Sequence, residues 1–394
     1  MASLPAGAAD RRGVLAWSAA MLTTLFAAAA MLLTLALPTF PEGLTIPIVL
    51  FLGLVGLAGF GGFLRSAAAR AQLAMLVPWV VALVLGLGVG TILGNPMGQA
   101  LEDALPYVLF ALGLCAGRGA GRPHLVIAAI LAVCVIDGVA SLVLLPSWDL
   151  GRVRSTYNYF KMIVGHPLVG LFCATFLLRL TRRRWVRWLC AGSLAVLVVA
   201  VIAPVSRGRV LAMILGWLTA LYVRRPARGM IVLGGAVVIA SVFAATLMDL
   251  GVQYLRLGNQ ATVDGRVREI AECLDVFVSK PVLGAGLGAE LVVDGFYVSY
   301  VHNMLAYHLW KFGLVGSTLF ALPVLSLARQ SLRTPRELRA MILGGAVSVL
   351  VYVVTAASYK GYFFVPMVGM VVGAALQISL PQRSVAETPA EVRA

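Results

Sequence analysis

Three short stretches hold the residue types that anion and acid–base chemistry need. Arg207 and Arg209, in APVSRGRV, occupy a loop of a few residues that joins two apolar segments and contains no acid. Two guanidinium groups held there favour an anionic ligand, since each stays protonated and offers a planar fork to phosphate or carboxylate oxygens. Arg266 and Arg268 form a second pair, within VDGRVREIAECLDVFVSKP. The pattern predicts a helix there, with Asp264 as N-cap, Val267, Ile270, Ala271, Leu274, Phe277 and Val278 on one face, and Pro281 ending it. Both arginines then fall in the first turn, where the helix dipole and the guanidinium groups together would receive a phosphate. The third stretch is His302 beside Asn303. Imidazole titrates near neutrality, so His302 is the candidate general base.

Other groups are less suited to chemistry. His308, six residues further on, falls on a different helix face from His302. LGAGLG at 283–288 is a fragment of a dinucleotide fingerprint without a surrounding βαβ unit, and is expected to be a flexible turn rather than a cofactor site. No external segment carries an Asp-x-Asp pair, so neither a metal nor another cofactor is implied. Cys115, Cys134, Cys173 and Cys190 sit in or at the ends of apolar segments and Cys273 has no local partner, so no disulfide framework is expected.

The elements that must position these residues follow from composition. The chain has 394 residues, 61% hydrophobic and 12% charged, with a mean hydropathy of +0.95. A water-soluble domain carries roughly a quarter charged residues, so a soluble globular fold is excluded. The sequence predicts an all-α polytopic membrane protein, a single transmembrane domain over residues 1–394. About 12 transmembrane helices, each needing about 20 apolar residues, lie near 14–37, 44–63, 72–94, 104–117, 123–146, 160–180, 185–204, 209–223, 228–248, 301–328, 338–357 and 362–380. Residues 249–300 form a long loop subdomain containing short helices, and 381–394 a disordered tail.

Charge gives the orientation. Sorted by alternate loops, 20 of the 31 basic residues, including the tracts TRRRWVR and VRRPAR, gather on one side with both termini. By the positive-inside rule that side is cytoplasmic, so the net charge of +15 reflects orientation rather than nucleic-acid binding. The eleven remaining bases, among them all four arginines above, lie outside or near the outer ends of spans. Some would pair with external acids such as Asp149, Asp264, Glu269 and Asp294. The apolar run 301–328 would reach about 42 Å as one helix at about 1.5 Å per residue, which exceeds a ~30 Å hydrocarbon core and leaves His302 and Asn303 at the outer face. Asp137 and Lys311 are lone charges inside spans, either a structural pair or the lining of a polar path. Tyr157, Tyr159, Phe160, Phe296, Tyr297 and Tyr300 are external aromatics suited to sugar stacking or to interfacial anchoring.

His302 and Asn303, followed after nine residues by Gly313 and then Gly316, resemble a motif of the O-antigen ligase family. Arg207 with Leu211 resembles that family's external arginine motif, and Asp264 to Gly288 resembles the domain it shares with related polymerases. The likeness covers residues 200–320. It implies a GT-C-like, inverting, metal- and nucleotide-independent glycosyltransferase on the periplasmic face of a bacterial inner membrane. The donor would be an undecaprenyl-pyrophosphate-linked glycan and the acceptor lipid A-core. Arg207, Arg209, Arg266 and Arg268 would hold the pyrophosphate, His302 would deprotonate the acceptor, Asn303 would orient the site, and Gly313 and Gly316 would permit close helix packing.

An O-antigen polymerase or a protein O-oligosaccharyltransferase would use the same donor. A transporter or flippase for an anionic lipid is the alternative of a different class, and it predicts repeated halves with several mid-membrane charges. A structural scaffold would leave Arg207 and Arg209 unexplained. The charge pattern makes one direct prediction: single cysteines replacing Asn259 and Arg383 are labelled by an impermeant thiol reagent in intact spheroplasts at the first position only. Labelling at 383 would invert the orientation.

Overall fold

The computed structural model describes residues 69–120, 122–144, 165–203, 206–242, 260–356 and 364–378. The spans expected at 14–37 and 44–63, the aromatics Tyr157, Tyr159 and Phe160, and the C-terminal tail lie outside these residues. The described part is nearly all helical: α1 Ala69–Ile92, α2 Met97–Gly119, α3 Pro123–Leu144, α4 His166–Leu180, α5 Arg184–Ile202, α6 Arg207–Arg224, α7 Pro226–Val242, α8 Gln260–Ser279, α9 Met304–Leu332, α10 Arg336–Thr355 and α11 Phe364–Ile378. One antiparallel hairpin, β1 Leu291–Val293 with β2 Phe296–Val298, separates α8 from α9. Six of these helices (α1, α2, α3, α5, α9 and α10) are long and apolar enough to cross a membrane. The helix at 97–119 is long and apolar enough to span a membrane, and longer than the sequence suggested for 104–117.

Between apolar helices in lipid there is little hydrophobic drive, so close backbone approach must hold them together. Helices α2 and α11 achieve it with reciprocal glycines. A Cβ on Gly113 or Gly117 would stand 2.3 or 2.2 Å from the carbonyls of Pro366 and Met370, and a Cβ on Gly369 or Gly373 would stand 2.4 or 2.2 Å from those of Phe110 and Leu114. Gly216 of α6 and Gly344 of α10 do the same for that pair, with a Cβ on either placed 2.7 to 2.8 Å from the other's carbonyl.

The apolar run at 301–328 is not one helix. Gly313 breaks it, at φ 59° and ψ −162°. In an unbroken helix the Leu314 and Val315 N–H groups would donate to the Trp310 and Lys311 carbonyls. Here they donate to Pro281 O at 2.9 Å and Val282 O at 3.1 Å, while the freed carbonyls accept from Ala285 N–H at 2.8 Å and Gly286 N–H at 2.9 Å. The LGAGLG segment, expected to be a flexible turn, is therefore a packed insert whose backbone completes the broken helix. Its fit depends on glycine: Gly284 and Gly286 have φ of +71° and +79°, and a Cβ on either would strike backbone atoms of α9 or α1. Gly313 thus serves as the break itself, and its lack of a Cβ also lets the insert approach, since a Cβ there would stand 2.5 Å from Val282 O. Asn95 fastens the insert by donating to Ala285 O and Leu287 O.

A buried ion pair locks the same region. Lys311 Nζ lies 2.7 Å from Asp103 Oδ2, both side chains fully buried, and also donates to Ala289 O. Asp103 Oδ2 accepts the Gly288 N–H at 2.9 Å. Lys311 is therefore tied to α2, and Asp137 to His166 at 3.3 Å, so the two lone charges do not pair with each other. Breaking a buried pair leaves an uncompensated charge at a cost of about 3–5 kcal/mol, whereas replacing both partners by apolar groups is often neutral. Lys311→Met should therefore sharply lower the thermal midpoint in detergent, and Asp103→Asn combined with Lys311→Met, which removes the unpaired charge while the amide oxygen still accepts from Gly288 N–H, should recover part of the loss.

Candidate functional site

The first segment of α9 begins at Met304. Asn303 caps it: the side-chain Oδ1 accepts from Ala306 N–H at 3.0 Å, so this residue starts the helix on which the preceding histidine is hung. His302, half-buried, faces α8. Its Nδ1 stands 3.0 Å from both carboxylate oxygens of Glu269, and its own backbone N–H donates to Glu269 Oε2 at 2.9 Å. With a carboxylate as partner, Nδ1 carries the hydrogen and Nε2 keeps the lone pair. The ring is thus fixed in orientation and tautomer by one residue, in the arrangement a general base requires.

Burial pushes the Glu269 carboxyl up, but the hydrogen bonds from the His302 ring and backbone, with the charge His302 carries when protonated and that of Arg266, bring it net below the ordinary glutamate value. Arg266 lies one turn before Glu269 on α8, and its Nη1 donates to the Thr355 carbonyl at 2.9 Å, capping the C-terminal end of α10. That end also receives α6. Gly208 packs so tightly on Thr355 that a Cβ would stand 2.4 Å from Oγ1. The last turn of α10 thus meets both the Arg207–Arg209 turn, through Gly208, and Arg266, although about sixty residues separate the two arginine stretches in sequence, and the His302–Glu269 pair lies one turn further along α8.

The four arginines differ in environment. Arg207, at the first position of α6, is partly exposed. Arg209 is fully buried and donates to Ala200 O at 3.1 Å, which makes it a packing cation between α5 and α6. Arg268 pairs with Asp294 of the hairpin turn at 3.2 Å, both side chains about half exposed. Helix α8 begins at Gln260, a turn before the expected cap at Asp264, so Arg266 and Arg268 sit in its second and third turns rather than at its N-terminus. The phosphate cradle built on that helix end is lost, and recognition rests on side chains alone. The inward face also differs from expectation. Cys273 is fully buried, and Ile270, Val276 and Phe277 are partly buried, whereas Val267, Leu274 and Val278 are exposed.

Burial pushes the Cys273 thiol up to about 12, so it packs as a neutral side chain under Glu269. Phe296, Tyr297 and Tyr300 are exposed on and after the hairpin, with the Tyr300 ring 6.1 Å from that of His302. Gly316 packs against its own helix, its Cβ position 2.6 Å from that of Phe312. His308 is buried, with Nδ1 2.7 Å from Met304 O and Nε2 3.1 Å from the Tyr107 hydroxyl, apart from His302 as expected. Among the described residues no three His, Cys, Asp or Glu side chains stand together to hold a metal ion. The residue that sequence reasoning undervalued is Glu269, which appeared only as one of several external acids. Its signal was its place three residues after Arg266 on an amphipathic helix.

No protein-family profile matches the chain. It is 32% identical over 158 residues to protoheme IX farnesyltransferase 1 of Paramagnetospirillum magneticum (strain ATCC 700264 / AMB-1), covering 38% of this chain and 49% of that protein. The chain thus spans about half the length of the curated relative it matches. This similarity overturns the activity expected from the motifs, transfer of O-antigen glycan to lipid A-core, because the relative is a farnesyltransferase, with a different reaction. A multi-pass membrane protein, with an enzyme as a distant relative, is what the helices and the comparison support together.

The lowered Glu269 value fixes a pH dependence. A carboxylate held below its unfolded value contributes stability above that value, about 4.3 for glutamate, and loses it as pH falls through the folded value. The thermal midpoint should therefore drop as pH falls below about 4, and Glu269→Gln should remove that component while leaving the profile at neutral pH parallel to wild type.

Proposed function

We propose that the chain is a membrane-embedded transferase that moves an isoprenoid group from its diphosphate to an acceptor, with His302 as general base. The observation that carries this reading is the His302 ring clamped through Nδ1 by Glu269, one turn from Arg266. The farnesyltransferase relative supports an isoprenoid as the transferred group. In the reaction, the bond between the isoprenoid carbon and the diphosphate oxygen breaks and the diphosphate leaves with the electron pair. The acceptor supplies the pair that forms the new bond to carbon, and His302 Nε2 takes the proton released, either from the acceptor itself or, for an alkene acceptor, from the water that captures the cation left on it. Glu269 stabilises the resulting imidazolium. Arg266 and Arg207 oppose the negative charge that gathers on the diphosphate, an electrostatic contribution that grows as the bond breaks. Arg209 and Arg268 are positioning residues in this scheme, one fixing the turn that carries Arg207 and the other fixing the hairpin to α8. The site lies on the periplasmic face of a bacterial inner membrane, with both termini cytoplasmic.

The test uses protein reconstituted in lipid nanodiscs with radiolabelled farnesyl diphosphate and protoheme IX, scoring release of diphosphate and labelling of the acceptor. General-base removal typically costs about 10²–10⁴-fold, so His302→Ala should lower turnover by that order with diphosphate affinity retained. Wild-type protein that neither binds nor turns over farnesyl diphosphate would reject the isoprenoid reading. Full activity in His302→Ala would reject the base.

A further inference from the structure

At the opposite end of α6 from Arg207, about 26 Å away at 1.5 Å per residue, a second constellation lies outside the site described above. A cavity of about 200 Å³ opens between α4, α5, α6 and α10, with Phe172, Leu194, Trp217, Leu221 and Met341 among its apolar walls and Arg224 at one end. Arg224 is nearly buried. Its Nε lies 2.8 Å from Glu337 Oε2, an ion pair rather than an aligned hydrogen bond, and Arg179 Nη1 reaches the same oxygen at 3.2 Å. One carboxylate thus faces two guanidinium groups, leaving one net positive charge beside an apolar chamber.

The surroundings identify the depth. Arg182, Arg183 and Arg184 precede or begin α5, and Arg225 and Arg228 follow α6; all are exposed. Just inside this basic rim, Trp185, Trp188 and Leu189 are 61%, 78% and 61% exposed on the first turns of α5. Exposed tryptophan next to arginine marks the boundary between hydrocarbon and headgroups. A ligand suited to both halves of the site must place an apolar chain in the cavity and an anion at the rim. Basic pockets between helices at this depth suit anionic phospholipid headgroups, whereas a free phosphate would leave the apolar chamber unfilled.

We propose that this cavity is a binding site for an anionic phospholipid, one acyl chain lying against Phe172, Leu194, Trp217 and Met341 and the headgroup phosphate taken by Arg224 and Arg179. Arg179, about half exposed, is free to turn its remaining N–H groups toward the phosphate while Glu337 keeps Arg224 in place. The site does not depend on the reaction proposed for the other end of the molecule.

Trp217 reports directly on occupancy. In nanodiscs of phosphatidylcholine containing a minor fraction of lipid brominated on its acyl chains, the Trp217 contribution is the emission of wild type minus that of Trp217→Phe. Brominated phosphatidylglycerol should quench this contribution at about one-fifth the mole fraction that brominated phosphatidylcholine requires, the preference expected when one additional basic side chain meets an anionic headgroup. Arg179→Gln, which keeps the Arg224–Glu337 pair and the fold, should reduce the preference, and Arg224→Gln should abolish it. Equal quenching by the two lipids in wild type would overturn the anionic site, and absence of any Trp217-dependent quenching would show that no acyl chain enters the cavity. Both deciding readouts need only wild type and Trp217→Phe, so misfolding of Arg224→Gln would not obscure the result.

Discussion

A backbone carbonyl or N–H left without a partner inside a membrane protein costs several kcal/mol, and the break at Gly313 creates two such pairs at once. Everything at this end of the bundle depends on how they are satisfied. The Pro281–Gly288 insert supplies the missing donors and acceptors, and because it is covalently continuous with the end of α8 it fixes that helix against α9. Without the exchange, Glu269 and His302 would belong to two independently moving elements. With it, the carboxylate and the imidazole are held across one rigid junction.

The same junction explains why a fully buried ion pair is tolerated nearby. Asp103 and Lys311 are desolvated, which on its own is unfavourable, yet Gly288 N–H and Ala289 O, both at the insert's end, complete their hydrogen bonding. The pair therefore reports on the insert's register: a shift of one residue would present a carbonyl where Asp103 requires a donor. Ionic groups of this kind are better regarded as fixing one arrangement among several than as a net source of stability.

Much of this architecture was legible in the sequence because hydropathy and charge are summed over twenty or more residues. The helices at 69–92, 123–144, 184–202 and 336–355 follow directly from it, as does the gathering of arginine tracts at one end of α4 to α7. His302 and the arginine stretches could be found as local anomalies. What could not be read was the pairing across distance. Glu269 and Glu272 each follow an arginine by one helical turn, so only the rotation of α8 against α9 decides between them, and nothing in LGAGLG separates a mobile turn from an insert until Gly313 is known to leave its helix. The break was hidden because the residues around Gly313 are as apolar as a continuous span would be. The activity inferred from short motifs failed for a related reason: a histidine, an arginine and two glycines at given spacings fix a chemistry of anions and protons, but not the group that is transferred.

Helix α8 keeps Val267, Leu274 and Val278 uncovered on the side away from α9 while its other side holds Glu269. An edge of that kind is at ease in the interfacial layer of a bilayer rather than in water. A substrate anchored by an isoprenoid tail would meet the site by travelling within the membrane plane, never crossing bulk solvent. Its relevant concentration is then a surface density, and saturation would scale with the ratio of substrate to lipid and remain indifferent to the volume of the surrounding solution.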